Sequence, residues 1–469
     1  MRTIDKEILR LALPSILANI TVPLVGMVDI AVAGHLDASA AALIGGISVG
    51  SLLFDMLYWN FGFLRAGTGG MTAQAYGRED WQGCRSLLLR GVKTAFLISL
   101  ALIMIQWPFQ KLAFLIINCS DEVKSLALKY FYIRIWAAPA TLSLMALRGW
   151  FIGMQDSFSS MITDVVVNGV NILVSIFLAM GVPGTGFKGI GFSGIAWGTF
   201  IAQYTGLLVA SAIVLLKYRN ILAAGTECQS DRLRRLAKGV LSRSEARMDS
   251  PVADGETPAK NYYAVNSDLF IRSLCLMAVY LAFTAISARF GDTLLAMSSI
   301  MMKLMMIFSF FTDGFAFAGE ALTGRFIGMK SEERLREAVR RTFVWSLGIG
   351  IIFVLIYRLT GTWMFRLMTS DTSVQDAAGA FLGWLVLMPL IGCPAFTWDG
   401  IYIGATETKI LRNSTIGCVA AFAAVWLTGM LFKPQGNGPV HLLFAAYYSH
   451  LIFRSVYLTI KYRSSIPRL

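Results

Sequence analysis

The sequence predicts an all-α polytopic membrane protein: about twelve transmembrane helices in two six-helix bundles, related by a pseudo-two-fold axis along the membrane normal. Three observations predict it. Hydrophobic residues make up 56% of the 469-residue chain against 15% charged, and mean hydropathy is +0.63. A soluble chain carries about a quarter of its residues as charges. The charges gather in connectors between apolar runs, and a bilayer span needs roughly 20 such residues. The two halves of the chain also repeat each other at one fixed offset.

The apolar runs place spans near 8–34, 40–64, 87–109, 125–150, 158–180 and 189–216. Six more fall near 264–288, 292–319, 341–364, 377–403, 410–432 and 439–460. Between them lies a polar, basic stretch containing DRLRRLAKG and SRSEARMDSPVADGETPAK. The expected organisation is an N-lobe of residues 1–216, a linker of 217–262 and a C-lobe of 263–469. The first run, from Ile8 to about Gly34, is too long for the apolar region of a signal peptide.

Lysine and arginine sit mostly in alternate connectors: Arg78, Arg85 and Arg90, then the linker, then Lys330 to Arg341, with Lys6 and Arg10 before and Lys461 and Arg463 after. The positive-inside rule makes that side cytoplasmic, with both termini inside, as in a bacterial inner membrane.

The repeat is read from separated matches. Gly77 in TAQAYG corresponds to Gly328 in TGRFIG, and Gly149, Gly153 and Asp156 to Gly400, Gly404 and Glu407, each pair 251 residues apart. Six spans return the chain to its starting side, so both copies insert the same way up. Two like-oriented bundles are a common transporter plan.

Other classes lack support. The net charge of +13 resides in short connectors, so nucleic acid is not an expected partner. Six cysteines include no C-x-x-C, and three histidines no H-E-x-x-H, so neither a metal site nor a cofactor is implied. No nucleophile elbow or phosphate loop suggests an enzyme.

TVPLVGMVDIAVAGHLD (Thr21–Asp37), FGFLRAGTGGMTAQAYGRED (Phe61–Asp80), LFIRSLCLMAVYLAFTAISARFGD (Leu269–Asp292) and TDGFAFAGEALTGRFIG (Thr312–Gly328) resemble the multidrug and toxic compound extrusion (MATE) family, in its DNA-damage-inducible F branch. The resemblance covers nearly the whole chain outside the linker. It implies two six-helix lobes in a V around a central cavity. It also implies export of organic, cationic or amphipathic compounds against inward H⁺ or Na⁺. A monomer in the lipid bilayer is expected. Lipid or lipid-linked-sugar flipping, known in the wider superfamily, is the alternative, and Na⁺-coupled export a second.

Among candidate residues Asp29 leads. A carboxylate deep in an apolar span is costly, and desolvation disfavours its charged form, as a proton-coupling group requires. The resemblance places the family's coupling carboxylate at this position. Pro23, six residues earlier, is a candidate hinge. Asn168, Asn171 and Ser175 share one helical face, and Thr199 is a further polar candidate. Relatives often have Asp where Ser175 stands; the missing anionic oxygen leans coupling toward H⁺. Asp55 and Lys303 lie mid-span in equivalent helices and are expected to face the cavity, pairing across it or within their own lobes. Arg65, Asp313, Glu320, Arg148 and Asp399 are candidate cytoplasmic gate residues. Met301, Met302, Met305 and Met306 suit either an adaptable pocket or ordinary packing.

Overall fold

The computed structural model describes residues 3–36, 40–117, 119–181, 186–223, 258–369 and 371–466, and among them all regular structure is helical. In the first copy the helices are α1 (Thr3–Gly34), α2 (Ala40–Tyr58), α3 (Phe63–Gly77), α4 (Trp81–Ile116), α5 (Asp121–Arg134), α6 (Ala138–Gly153), α7 (Ser157–Met180) and α8 (Phe192–Lys217). The second copy has α9 (Pro258–Ser287), α10 (Asp292–Gly328), α11 (Glu332–Met368), α12 (Thr372–Gly404), α13 (Thr408–Leu431) and α14 (Gly438–Ser465). Short 3₁₀ turns at Trp59–Gly62 and Ile135–Ala137 join α2 to α3 and α5 to α6. Each joined pair forms one span.

Among the described residues, eleven spans are long and apolar enough to cross a membrane. The twelfth expected span is α14, a helix of 28 residues made more polar by His441, His450, Arg454 and its tyrosines. Most of the expected linker, 224–257, lies outside the described residues, and α9 begins at Pro258, before the expected C-lobe boundary.

Local chemistry sets the helix starts. Asp80 Oδ1 accepts from Gly83 N at 2.7 Å and so caps α4. Asp156 Oδ1 accepts from Ser159 N at 3.2 Å ahead of α7, and Asp371 Oδ1 from Ser373 N at 2.8 Å ahead of α12. Each cap satisfies an amide that the helix leaves without a backbone partner.

The duplication is visible in backbone detail. A Cβ on Gly149 would lie 2.0 Å from the carbonyl oxygen of Arg65, and one on Gly400 2.0 Å from that of Ala316. Four residues on, Gly153 abuts the oxygen of Gly69 at 2.6 Å and Gly404 that of Glu320 at 2.2 Å. Only glycine lets α6 approach α3, and α12 approach α10, this closely. Glu79 and Lys330, with φ of 58° and 54°, are again 251 apart. So are Gln155 and Thr406, at 61° and 57°.

Contacts divide the chain into two units, Ile20–Ala264 and Met1–Asn19 with Val265–Leu469. In the first, Trp150, Phe151, Leu144 and Tyr262 form the heart of a buried cluster. In the second, Phe283, Phe308, Tyr357, Phe381 and Phe444 do so, and Met301 and Met305 lie among them as core packing. The start of α1 therefore packs with the second copy. Asp5, 3% exposed, accepts from Arg341 and, at 3.0 Å, from Trp345 Nε1. Glu7 pairs with Arg325 at 3.2 Å, and Asn19 Nδ2 donates to Phe310 O at 3.2 Å.

Candidate functional site

The site lies in the unit of residues 20–264 and is built around Asp29. Between Asn19 and Ala31, Asp29 is the single buried side chain, at 5% exposure, while Val22, Leu24, Met27 and Ile30 are exposed. The helix thus turns its apolar residues outward and its one acid inward, the inverse of a soluble helix. Asp29 Oδ1 is buried without a hydrogen-bond partner among the described residues.

Sequence reasoning missed what faces it. Arg134, the last residue of α5, lies within electrostatic reach of Asp29, Asp55, Tyr58 and Tyr130. Its Nη1 donates to Tyr130 Oη at 2.9 Å, and its guanidinium sits 4.6 Å from the centre of the Phe54 ring. The cation is also placed at a helix C-terminus, where the backbone dipole favours it. One arginine thus serves two carboxylates, buried Asp29 and exposed Asp55.

A polar chain continues from Tyr130. Its hydroxyl neighbours Ser51 and Thr199. Asn171 Nδ2 donates to Thr199 Oγ1 at 3.0 Å, and Thr199 Oγ1 lies 3.3 Å from Ile195 O. Ser175 Oγ stands 3.5 Å from Asn171 Oδ1 and 3.4 Å from Ile195 O. Asn171, Ser175 and Thr199 thus form one network. Asn168 instead donates to Thr21 Oγ1 at 2.5 Å, tying α7 to α1 eight residues before Asp29. A Cβ on Gly198 would lie 2.1 Å from Ser175 Oγ, so α8 packs hard against this position and leaves it room for a small side chain.

Both spans that flank this network break near it. The 3₁₀ turn at Ile135–Ala137 follows Arg134 directly, and the one at Trp59–Gly62 follows Tyr58. Their counterparts α10 and α12 run unbroken through the corresponding places. A mid-span 3₁₀ turn often marks a functional hinge, and here both occur in the copy that carries Asp29. Pro23 lies within continuous helix α1 and is exposed.

The remaining candidates fall elsewhere. Lys303 is exposed on α10, in the other unit from Asp55. Arg148 pairs with Asp164 at 2.5 Å inside the first unit. Its counterpart Asp399 accepts from Arg272 and, at 3.1 Å, from Arg454 inside the second. Each is therefore engaged within its own unit. Glu320 is fully buried on α10, Asp313 is part-buried on the same helix, and Arg65 is part-buried on α3. Arg325, on the same helix, pairs with Glu7 at 3.2 Å.

Three comparisons bear on identity. The MatE family profile matches residues 14–177 and 269–428, once in each copy. DNA damage-inducible protein F of Escherichia coli (strain K12) is 33% identical over 426 residues, covering 90% of this chain and 86% of that protein. A probable multidrug resistance protein NorM of Thermotoga maritima is 25% identical over 380 residues, 80% of this chain and 74% of its own. Among solved structures, MATE in the bent conformation matches with TM-score 0.80 at 14% identity, covering 99% of this chain and 96% of that one. MATE in the straight conformation gives 0.79 at 15% identity, with 99% and 96% covered. With eleven apolar spans among its described residues, its duplicated halves and a family match in each, the chain belongs to the MatE family of multi-pass membrane transporters.

Proposed function

We propose that this transporter exports small organic cationic or amphipathic compounds in exchange for protons, with Asp29 as the coupling carboxylate. The observation that carries the reading is the grouping of Asp29, Asp55 and Arg134. With both acids ionised the group is one negative charge in excess. A single proton makes it neutral, and neutrality is what a site inside a membrane favours. Asp29 is the buried acid with an oxygen open to that proton. Arg134 also lies within electrostatic reach of Asp29, and a neighbouring cation opposes the binding of a sodium ion there.

In this reading Asp29 takes its proton from the outer side of a bacterial inner membrane, with the termini cytoplasmic. Protonation frees Arg134 to pair with Asp55, and the loosened α1 shifts against the 3₁₀ turns of its neighbours. Loss of the proton to the cytoplasm restores the starting state. One charge moving through 100 mV supplies about 2.3 kcal/mol, enough for roughly a 50-fold gradient of a neutral compound.

The test is substrate-dependent proton flux in sodium-free proteoliposomes, with cationic dyes as substrates, comparing wild type with Asp29→Asn. The expected result is flux that needs a dye and disappears in the variant. Flux that persists in Asp29→Asn would move coupling to Asp55 or to Na⁺. Absence of flux with every dye would favour lipid flipping.

A further inference from the structure

At the start of α11 and the end of α14, far from Asp29 in sequence and in the other unit, lies a cleft of about 530 Å³ lined by Arg336, Val339, Arg340, Tyr462 and Arg463. Three arginines and no carboxylate line it. Arg336 is neutralised by Glu332 at 2.6 Å, one helical turn back. Arg341, the neighbour of Arg340, is taken by Asp5. Arg340 and Arg463 have no carboxylate within ion-pair distance among the described residues. Glu337 lines a smaller adjoining cavity of about 280 Å³ with Arg336, Arg340 and Arg341, and not the cleft itself.

The Tyr462 side of the cleft is backed by an aromatic stack. The Tyr462 ring lies 5.0 Å from that of Trp398, which lies 4.7 Å from Phe343, and Trp398 Nε1 donates to Thr459 at 2.8 Å. Tryptophan and tyrosine gather at headgroup depth in membrane proteins. The sequence of α11 puts the cleft at that depth: the charged run EERLREAVRR ends at Arg341, and the apolar run of the span follows. The cleft is of a size that holds a small ligand, and arginine forks match the geometry of phosphate oxygens.

We propose that this cleft binds a phosphate-bearing anion, gripped by Arg340 and Arg463 and seated on Tyr462. At headgroup depth the natural source is the phosphate of an anionic lipid; the other source of the same chemistry is free phosphate. The site lies in the other unit from Asp29 and does not depend on that residue's role.

Binding is measured on the full-length protein in neutral detergent, titrating phosphatidylglycerol, inorganic phosphate and phosphate-free diacylglycerol. The expected result is saturable binding of phosphatidylglycerol that Arg340→Gln with Arg463→Gln weakens roughly 25-fold, at about fivefold per basic residue. Arg334→Gln, which removes an exposed arginine of the same helix outside the cleft, should leave the affinity unchanged. Arg340→Lys with Arg463→Lys, which keeps charge but loses the fork, should fall between, and it guards against misfolding of Arg340→Gln with Arg463→Gln. If inorganic phosphate binds as tightly with the same arginine dependence, the site stands and its ligand is soluble. Equal binding by wild type and the Gln variant, an equal loss in Arg334→Gln, or equal binding of diacylglycerol would each overturn it.

Discussion

Arg134 donates to the hydroxyl of Tyr130, one helical turn before it, at 2.9 Å, so the cation that faces Asp29 is held by a side chain of its own helix. Part of what places it is therefore local to α5 and remains when its carboxylate partner changes. Replacing Arg134 by Gln should leave Asp29 and Asp55 without their shared counter-charge and lower dye-dependent proton flux at least ~10-fold, a loss of about 1.4 kcal/mol in the limiting step. Arg134→Lys should recover part of it. Flux at the wild-type level in Arg134→Gln would remove the arginine from the coupling scheme.

Asp156 and Glu407 occupy the same place in the two copies, and their surroundings tune them oppositely. Burial pushes the Asp156 carboxyl up, but Lys217 at 2.7 Å, Ser159 and Tyr218 outweigh it and hold it below the ordinary range. Its contribution is present at neutral pH and is lost as pH falls below the unfolded value of about 3.9 and on through the lower folded one. Asp156→Asn should cost roughly 2 kcal/mol at pH 7 and should flatten the loss of stability on acidification. Glu407 is held above its ordinary range by burial, with Lys409 opposing. That costs stability as pH rises above the unfolded value, so Glu407→Gln should be neutral or slightly stabilising at pH 7. Acid-unfolding midpoints of the two variants check both signs.

Gly149→Ala and Gly400→Ala should each destabilise by about 3 kcal/mol, because the added methyl meets a backbone oxygen that cannot rotate away. Thermal unfolding in detergent would show two similar losses. A loss in one copy alone would mean that the other helix pair can separate at little cost.

Lys330 is exposed and holds a φ of 54° just beyond α10. Strain of about 1–2 kcal/mol in that conformation, less the freedom glycine adds to the unfolded chain, predicts that Lys330→Gly gains roughly 0.5–1 kcal/mol. A small upward shift in melting temperature is the readout.

That Asp29 stands out was legible because it is a lone acid in an apolar run, and the shared face of Asn171 and Ser175 because of their helical spacing; Thr199, on α8, joins them through packing. Arg134 carries the same kind of signal in LALKYFYIRIWAAP, but with Lys129 close by it reads as the edge of a span. The 3₁₀ turn after it has no local mark beyond Pro139, and the one at Trp59–Gly62 only Gly62. The offset of 251 made Arg148 and Asp399 equivalent. Their partners, Asp164 in one case and Arg272 with Arg454 in the other, come from packing that no spacing encodes. The repeat also suggested a clean division before the linker, whereas contacts assign the first 19 residues to the second unit.

That last feature bears on biogenesis. When the ribosome has finished the first copy, the second-copy side chains that Asp5 and Glu7 pair with do not yet exist. Their partners Arg325, Arg341 and Trp345 emerge 318 to 340 residues after them. The start of α1 thus reaches its final packing only after α10 and α11 have been made, so the second copy completes the fold of the first helix.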